Sequence, residues 1–305
     1  MRDSIQQSNT ISGILFALSG TALFSIKPII IKLAYQSGTE ELEAITLLTL
    51  RMLFTLPFYL IIGGLMLKRN KSAKNNINTR LLVGISATGF CGYYLAAYLD
   101  IWGLQYISAQ LERMTLFVYP TIVALLGFIF FKQRITINMV LATLLTYIGI
   151  AVMYYQESLL EAEHVVKGMS LIALAALSFA FYMVFSKGYI QKIGSRLFTS
   201  LAMLSSSVFI FIHFSLSQPL ESLIVSMELY LIIAIIAIPC TVIPSFLISE
   251  AIARIGPSKT SIANGSGPMI TLIAAISILG EPFSMIYLLG MGLIILGFYL
   301  LSRQN

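Results

Sequence analysis

The chain has 305 residues, of which 58% are hydrophobic and only 10% are charged. Soluble domains carry about 25% charged residues, so this composition excludes a soluble globular protein and indicates one that lies in a lipid bilayer. The formal net charge of +6 does not indicate a nucleic-acid partner, because most basic residues lie between long apolar stretches, where they meet anionic membrane lipid.

Ten apolar stretches follow one another along the chain. Each is close to the length of about twenty residues that a helix needs to cross roughly 30 Å of hydrocarbon. The predicted helices cover residues 11–33, 43–67, 80–102, 107–131, 136–155, 167–188, 196–216, 228–250, 257–279 and 283–302. This pattern predicts an all-α membrane protein with ten transmembrane helices.

The charges between these helices alternate in sign from one loop to the next. The even-numbered loops hold the basic residues Lys68, Arg69, Lys71, Lys74, Arg80, Lys132, Arg134, Lys187, Lys192, Arg196, Arg254 and Lys259. The odd-numbered loops hold mainly the acidic residues Glu40, Glu41, Glu43, Asp100, Glu157, Glu161, Glu163, Glu221, Glu228 and Glu281. Because basic loops resist translocation, both the N and the C terminus are predicted to be cytoplasmic.

The two halves of the chain resemble each other. Residues 104–153 align with residues 252–301 without a gap, at a constant shift of 148 positions that pairs Pro120 with Pro268. Each half holds five predicted helices, and since five is odd, the second half enters the membrane inverted relative to the first. Two inverted five-helix repeats are the architecture of alternating-access carriers.

Three segments carry a resemblance to a known family. Residues 103–120 form a short loop that enters a helix with a central proline, and residues 256–268 repeat this arrangement before a closing acidic turn at 279–282. In these features the chain resembles the EamA-type members of the drug/metabolite transporter superfamily, over nearly its whole length. The resemblance implies two EamA-like five-helix repeats, at 1–155 and 164–305, with helices 1, 3, 4, 6, 8 and 9 lining a central cavity in one integral membrane unit.

The closing turn differs between the two halves. The first half has Gln133 and Arg134 where the second half has Glu281 and Pro282. Because the repeat partner of Glu281 carries no charge, we expect Glu281 to act structurally, by capping the start of helix 10.

Four ionisable side chains lie inside the predicted helices: Lys27, Arg51, Glu112 and Arg113. An ionisable group in hydrocarbon costs a few kcal/mol unless it is paired or hydrated. All four lie in one layer of the outer half of the membrane, which suggests a common polar pocket. We hypothesise that Lys27 or Arg113, whichever is not paired with Glu112, binds a carboxylate or another anionic group. In the alternative, the charges only pair with one another, and Arg51 braces helix 2.

Uncharged polar residues complete the predicted cavity. Glu112, Thr115 and Tyr119 share one face of helix 4 by their spacing. Interhelical or backbone hydrogen bonds are the alternative role for the tyrosines of helix 3 and for Asn264. The predicted substrate-binding residues are Lys27, Tyr94, Tyr98, Glu112, Arg113, Thr115, Tyr119, Ser178, Tyr182, Ser245 and Asn264.

The sequence disfavours an enzyme and a channel. Its two histidines, His164 and His213, have no metal-like spacing, and no aspartate is expected inside a span. Ser266 has Asn264 two positions before it, where the Gly-x-Ser-x-Gly motif of serine nucleophiles has a glycine. Cys91 and Cys240 are expected to be small apolar residues that fill space inside helices. We therefore expect no catalytic residue, no metal site and no cofactor. Repeated glycine-rich filter loops, which a channel would need, are also missing.

These observations predict a secondary active or facilitative transporter. The family resemblance alone implies that it moves small metabolites, such as amino acids or related compounds, and that it exports them. An exchanger of anionic metabolites, of nucleotide or organic-phosphate type, is the alternative. Proton coupling, uniport and exchange all stay open. The expected location is the cytoplasmic (inner) membrane, in multi-pass form, with lipid and a small-molecule substrate as partners and a monomer as the expected state.

Overall fold

The computed structural model describes residues 2–37, 42–69, 77–133, 136–282 and 285–302, and within these residues the chain is helical almost throughout, with no strand. Eight helices are long and apolar enough to span a membrane: α1 Thr10–Ser37, α2 Ala44–Arg69, α3 Thr79–Gly103, α4 Ala109–Phe131, α5 Ile137–Ser158, α6 Ala162–Ile193, α7 Ser195–Ser217 and α8 Met227–Ala263. Two shorter apolar helices follow, α9 Gly267–Leu279 and α10 Met285–Gly297. The all-α prediction is confirmed. The predicted loop residues 70–76, Glu40, Glu41 and Arg134 lie outside the described residues.

The loops that were predicted to share a side of the membrane meet at the same end of the molecule. At the predicted outer end, Gln105 Nε2 donates to the Leu42 carbonyl at 3.2 Å, and the Lys167 ammonium lies 5.7 Å from the centre of the Trp102 ring. The opposite end joins the start of α1 to α8, where Arg254 Nη1 donates to Ser12 Oγ at 2.6 Å. The helices therefore run alternately up and down between two polar ends.

The irregular backbone positions recur at the shift of 148 found in the sequence. Wider π-helical turns lie at Phe90–Leu95 in α3 and at Ile238–Val242 in α8. Past the centre of each half, α4 is interrupted after Leu116 and the chain between α8 and α9 forms a 3-10 turn at Asn264–Ser266. Each half therefore has two irregular segments, and they stand at corresponding positions. The backbone of α3 and α4 follows the same path as that of residues 238–266 at these segments.

The closing turns repeat in the same register. Lys132 and Gly280 both adopt left-handed backbone conformations, with φ of 53° and 66°. The amide that follows each of them donates back across the turn, Gln133 N to Gly127 O and Glu281 N to Ala275 O, both at 3.2 Å. Glycine takes this conformation at no steric cost, whereas lysine in the first half must accept strain.

Helical hydrogen bonding continues from Ile137 to Ile193, although a loop was predicted between α5 and α6. A straight helix would separate Ile137 from Phe185 by about 72 Å. The ring of Phe185, however, lies 6.4 Å from that of Phe131, only six residues before Ile137. The two spans therefore fold back on each other, and the expected reversal takes place within a helically bonded segment.

A second reversal occurs at Gly256, inside the continuous run of helical residues in α8. Its φ of +80° is a conformation that side-chain-bearing residues rarely adopt. Before Gly256, Ile248 packs on Gly20 of α1, and beyond it Gly267 lies against Thr21 and Ser25. The predicted ninth helix, 257–279, therefore has the expected course, but it is broken at Asn264–Ser266.

Small residues bring α5 and α10 into close contact. A Cβ atom added to Gly290 would lie 2.9 Å from the Gly149 carbonyl oxygen, and one added to Gly297 would lie 2.8 Å from that of Ala142. In a bilayer such close backbone approach drives helix association by dispersion forces. These two helices form a lateral pair, while α1, α3, α4 and α8 surround the interior.

Candidate functional site

A cavity lies among the helices of both halves. Its polar lining consists of Thr21, Lys27, Arg51, Tyr93, Asp100, Arg113, Tyr119, Thr241 and Asn264. Its apolar lining includes Phe24, Leu116, Phe117, Phe179, Met203 and Ile248. Helices 1, 3, 4, 6, 8 and 9, which the family resemblance implies, all contribute lining residues, with Asn264 and Gly267 counted as part of the predicted ninth helix. The structure adds α2, through Arg51, and α7, through Met203, and neither α5 nor α10 contributes a lining residue.

Lys27 and Asp100 form a buried ion pair in the cavity wall. Lys27 Nζ donates to Asp100 Oδ2 at 2.6 Å, and the two residues are 9% and 3% exposed. This corrects the sequence analysis, which counted Asp100 among the outer loop charges and expected no aspartate inside a span. The predicted helix 80–102 already included Asp100 near its end, and the structure turns this residue toward Lys27 and the cavity rather than toward the outer loop. Lys27 is consequently engaged by a partner that the sequence analysis did not consider.

Arg113 is held by the backbone of α1. Its Nη2 atom donates to the carbonyl of Phe24 at 2.8 Å. That carbonyl is free because Pro28, four residues later, has no N–H to complete the helical hydrogen bond. The Nε edge of the guanidinium lies toward Glu112, with 3.8 Å between Arg113 Nε and Glu112 Oε2. One proline therefore creates the acceptor that orients the arginine at the cavity.

Glu112 lies behind the cavity wall rather than in it. The residue is 0% exposed, and neither carboxyl oxygen accepts a hydrogen bond from any described residue. Thr115, on the next turn of the same helix, is also buried and its hydroxyl has no partner among the described residues. Of the helix-4 stripe predicted from spacing, only Tyr119 contributes directly to the lining.

Arg51 is the cation whose position the sequence analysis left most open. It is 3% exposed, it lines the cavity, and within the described residues it has no hydrogen-bond or ion-pair partner. Its electrostatic neighbours are Tyr59 and Asp100. A guanidinium buried in this way carries five donors with few acceptors. Arg51 is therefore best placed to meet an anionic group inside the cavity.

The second half contributes a neutral, internally bonded wall. Asn264 Oδ1 accepts from the Thr21 hydroxyl at 2.5 Å, and its Nδ2 donates to the Tyr119 hydroxyl at 2.8 Å. These bonds tie the break between α8 and α9 to α1 and α4. Asn264 thus lines the cavity and makes the interhelical hydrogen bonds that had been the alternative to cavity lining.

Tyr94 and Tyr98 do not line the cavity. The Tyr94 hydroxyl lies 3.1 Å from His213 Nδ1, and the Tyr98 ring contacts the same imidazole, in an aromatic cluster between α3 and α7. Tyr93 takes the cavity position instead. The π-helical turn Phe90–Leu95 changes which side chains face inward, and regular helical spacing cannot reveal such a turn.

Three further predicted residues lie next to the lining and are satisfied by neighbours. Tyr182 exchanges hydrogen bonds with the hydroxyls of Tyr93 at 2.5 Å and Ser249 at 3.1 Å. Ser245 pairs with the Tyr59 hydroxyl at 3.0 Å. Ser178 donates to the carbonyl of Cys91 at 2.8 Å. Each of these three side chains bonds one helix to another behind the cavity lining.

Glu281 caps α4, not helix 10 as predicted. Its carboxylate accepts from Ala109 N at 2.8 Å and from Gln110 N at 3.3 Å. A carboxylate at a helix N-terminus binds the free amides and the positive end of the helix dipole. The contact comes from the other half of the chain, so tertiary packing, not local sequence, brings it about. It fixes the first turn of the helix that carries Glu112 and Arg113.

No cluster of three or more metal-ligating side chains occurs within the described residues. The site is therefore an assembly of charged and polar side chains around an internal cavity in a bundle of membrane-spanning helices, which is the class of a polytopic membrane transporter.

Comparison with known proteins identifies the family. The model of the EamA-like transporter family matches residues 11–155 and again residues 166–303, and the chain belongs to this family. It is 29% identical to the uncharacterized transporter YcbK of Bacillus subtilis, over 92% of this chain and 89% of that one. It is 25% identical to an uncharacterized transporter of Archaeoglobus fulgidus, over 67% and 71% of the two chains.

A solved structure shares the fold. It superposes with a TM-score of 0.66 over 95% of each chain, at 15% sequence identity. The chain is therefore a multi-pass membrane protein of a transporter family, as the sequence analysis predicted. The exact boundaries proposed for the two repeats stay a prediction.

Proposed function

We propose that this protein is a carrier for small metabolites that bear a carboxylate, amino acids foremost, and that it works by alternating access across the cytoplasmic membrane. The observation that carries the proposal is Arg51, a buried cation on the cavity surface without a partner among the described residues. A planar guanidinium binds a carboxylate through two parallel hydrogen bonds.

The charges around the cavity support an anionic group on the substrate. Lys27, Arg51 and Arg113 supply three cations, and Asp100 and Glu112 supply two carboxyl groups. Even with both carboxyl groups ionised, one positive charge is left over. Lys27 is neutralised by Asp100, and an ionised Glu112 is the carboxylate beside Arg113, so the excess charge belongs to Arg51.

The remaining features of the cavity suit a substrate of mixed character. Phe117, Phe179 and Ile248 offer apolar surface, while Asp100 Oδ1 is an acceptor without a donor. An ammonium group on the substrate would be attracted to the Asp100 carboxylate. A zwitterion with an apolar or small side chain therefore fits the available chemistry. Export, and a monomer surrounded by lipid, complete the proposal.

The excess positive charge also favours the second candidate, an exchanger of anionic metabolites such as nucleotides or organic phosphates. The two candidates differ in the need for an ammonium group. Purified protein screened by thermal shift against amino acids, their N-acetyl derivatives, nucleotides and sugar phosphates separates them. Stabilisation by free amino acids alone supports the first candidate, and stabilisation by phosphates supports the second.

Arg51→Ala tests the site itself. We expect counterflow of the ligand found in that screen to fall at least about tenfold in proteoliposomes, because a charge-assisted bidentate contact contributes roughly 1.5–3 kcal/mol. Arg80→Ala, at an exposed position on the predicted cytoplasmic side, is the matched control and should transport normally. Equal transport by Arg51→Ala and wild type would refute the proposed site.

A further inference from the structure

We propose that Asp100 and Glu112 hold one proton between them, and that this proton and an anionic group at Arg51 strengthen each other's binding. The second part rests on the proposed function, because it requires an anionic group in the cavity. The first part concerns the unliganded protein and stands on the geometry of the two carboxyl groups.

Glu112 lacks the contacts that an ionised carboxylate needs. It is 0% exposed, and both of its oxygens are without a hydrogen-bond donor among the described residues. Arg113 does not supply one, because the distance of 3.8 Å from its Nε exceeds that of a hydrogen bond and its Nη2 is bonded to the Phe24 carbonyl. Burying a negative charge without donors is far more costly than burying a neutral carboxylic acid.

Asp100 supplies the complementary acceptor. Its Oδ2 atom is bonded to Lys27, but its Oδ1 atom has no donor among the described residues. The carboxyl groups of Asp100 and Glu112 lie within interaction distance of each other, and Arg113, the neighbour of Glu112 on α4, lines the same cavity as Asp100. A proton on Glu112, donated toward Asp100, satisfies this acceptor and removes one of two adjacent negative charges. Adjacent carboxyl groups that share one proton are the general solution to this repulsion.

The groups facing the pair keep Asp100 ionised and leave Glu112 as the proton carrier. Lys27 from α1 and Arg51 from α2 both face Asp100, as does the Tyr35 hydroxyl group. Arg113 is the cation beside Glu112 on its own helix. Two further segments pack against this part of α4. The segment Gly267–Leu279 of α9 contains no ionisable side chain, and from the segment Ile137–Ile193 Glu157 bonds Ser108 at the start of α4.

The proton changes the net charge of the cavity. Three cations against two carboxylates leave a charge of +1, and against one carboxylate they leave +2. An anionic group at Arg51 is therefore attracted more strongly when the pair is protonated. By linkage, the bound anion equally favours uptake of the proton. The structure thus contains the elements of a carrier whose substrate cycle is coupled to proton binding.

Infrared difference spectroscopy between acidic and alkaline pH tests the proton pair without any substrate. In wild-type protein reconstituted into nanodiscs we expect the C=O stretch of a buried carboxylic acid, and we expect Glu112→Gln and Asp100→Asn to remove or shift it. Glu250→Gln is the control, because Glu250 bonds Ser195 and Arg254 at the opposite end of the molecule. Absence of the band from wild type, or its persistence unchanged in Glu112→Gln, would overturn the pair, and the wild-type measurement does not depend on a variant folding.

Binding of two anionic probes tests the coupling. L-Glutamate and sulfate keep their own charge between about pH 5.5 and 7.5, so any change in their affinity reports on the protein. We expect wild type to bind one of them about tenfold more tightly at the lower pH, and Glu112→Gln to show no such difference. Equal affinities of wild type at both pH values would overturn the coupling. A carboxylic band without binding of either probe counts against the anion carrier and the coupling, while binding without a band counts against the proton pair alone.

Discussion

The two halves of the chain share a backbone path, but they face the cavity with different chemistry. From the first half, Lys27, Arg51, Asp100 and Arg113 line the cavity, and Glu112 lies directly behind. The second half lines it with neutral groups that already have partners. Thr241, for example, donates to the carbonyl of Ile236 at 2.8 Å. The first half therefore supplies the side chains that can bind an anion and take up a proton, and the second half supplies neutral side chains that hold the helices in place.

The unpaired buried groups follow the same division. Among the described residues, every buried side-chain polar atom without a hydrogen-bond partner belongs to the first half, except the hydroxyl oxygen of Ser206. Buried polar groups are normally paired, and exceptions mark strain, function or a missing ligand. Three of the residues concerned, Arg51, Asp100 and Arg113, line the cavity, and their concentration there indicates function.

The closing turns of the two halves show the contrast at the ends of the molecule. The Glu281 carboxylate binds two backbone amides of α4 across the halves, whereas the side-chain oxygen of its repeat partner Gln133 accepts from the Ser258 hydroxyl at 3.5 Å. Ser258 stands in the repeat position of Gln110. The same backbone turn therefore closes one end with a carboxylate and the other with a neutral amide, so the two ends are held with unequal strength.

The largest effect on stability is expected from Lys27→Ala, which leaves Asp100 buried without its cation. Breaking one side of a buried ion pair costs about 3–5 kcal/mol. Thermal unfolding in detergent at neutral pH should show a correspondingly large loss. The loss should be smaller in acid, because protonation of Asp100 removes the unpaired charge.

Tyr182→Phe is the matched control from the second half. A shift of 155 residues lays helix 1 over helix 6, matching Gly13 with Gly168 and Phe24 with Phe179, and it places Tyr182 at the position of Lys27. It removes hydrogen bonds to Tyr93 and Ser249 and should cost only about 1 kcal/mol. If both variants lost the same stability, the charged half would not differ energetically from the neutral half.

Arg113→Lys is expected to reduce transport by about tenfold, the next largest effect. A lysine ammonium is a point charge and cannot bond the Phe24 carbonyl while presenting a planar donor pair to the cavity. Initial rates of counterflow in proteoliposomes measure the change. Ser261→Ala, at the repeat position of Arg113, should retain nearly full activity, and an equal loss in both variants would contradict the asymmetry.

Substitutions of Glu281 and Gln133 in the two closing turns test how strongly each end of the molecule is held. Glu281→Gln removes the charged cap of α4 and should destabilise the protein by about 1 kcal/mol. Accessibility of a cysteine placed at Gln105 to a membrane-impermeant thiol reagent should rise, because the outer end opens more easily. Gln133→Glu should strengthen the opposite end and leave that accessibility unchanged. An unaltered outer accessibility in Glu281→Gln would show that this cap does not hold the end closed.

The smallest effect is expected from Tyr94→Phe. Its hydroxyl contacts His213 outside the cavity, so transport should change less than about twofold. Tyr93→Phe, one position earlier, removes the bond to Tyr182 at the cavity wall and should weaken binding several-fold. A reversed order in a binding assay would mean that the π-helical turn does not determine which tyrosine faces inward.

The sequence predicted the helices and their repeat well, because bilayer thickness and backbone hydrogen bonding leave few structures open to so apolar a chain. It also located Lys27, Arg113, Tyr119 and Asn264 on the cavity, since polar groups in a span are costly enough to be informative. It failed where a local irregularity changed the facing of a helix. The π-helical turn that exchanges Tyr94 for Tyr93 has no signature in the order of apolar and polar residues.

Composition, charge alternation and the ungapped match between the halves were enough to predict from the sequence an all-α membrane protein with two similar halves. The cost of transferring each segment to lipid and the register of a repeat can both be read along the chain. Partner choice was decided only by tertiary packing. Whether Lys27 meets Asp100 or Glu112, whether Glu281 caps α4 or its own neighbour, and which arginine is left unpaired all depend on distances between helices far apart in sequence. Such distances follow from how side chains pack, and no local pattern encodes them.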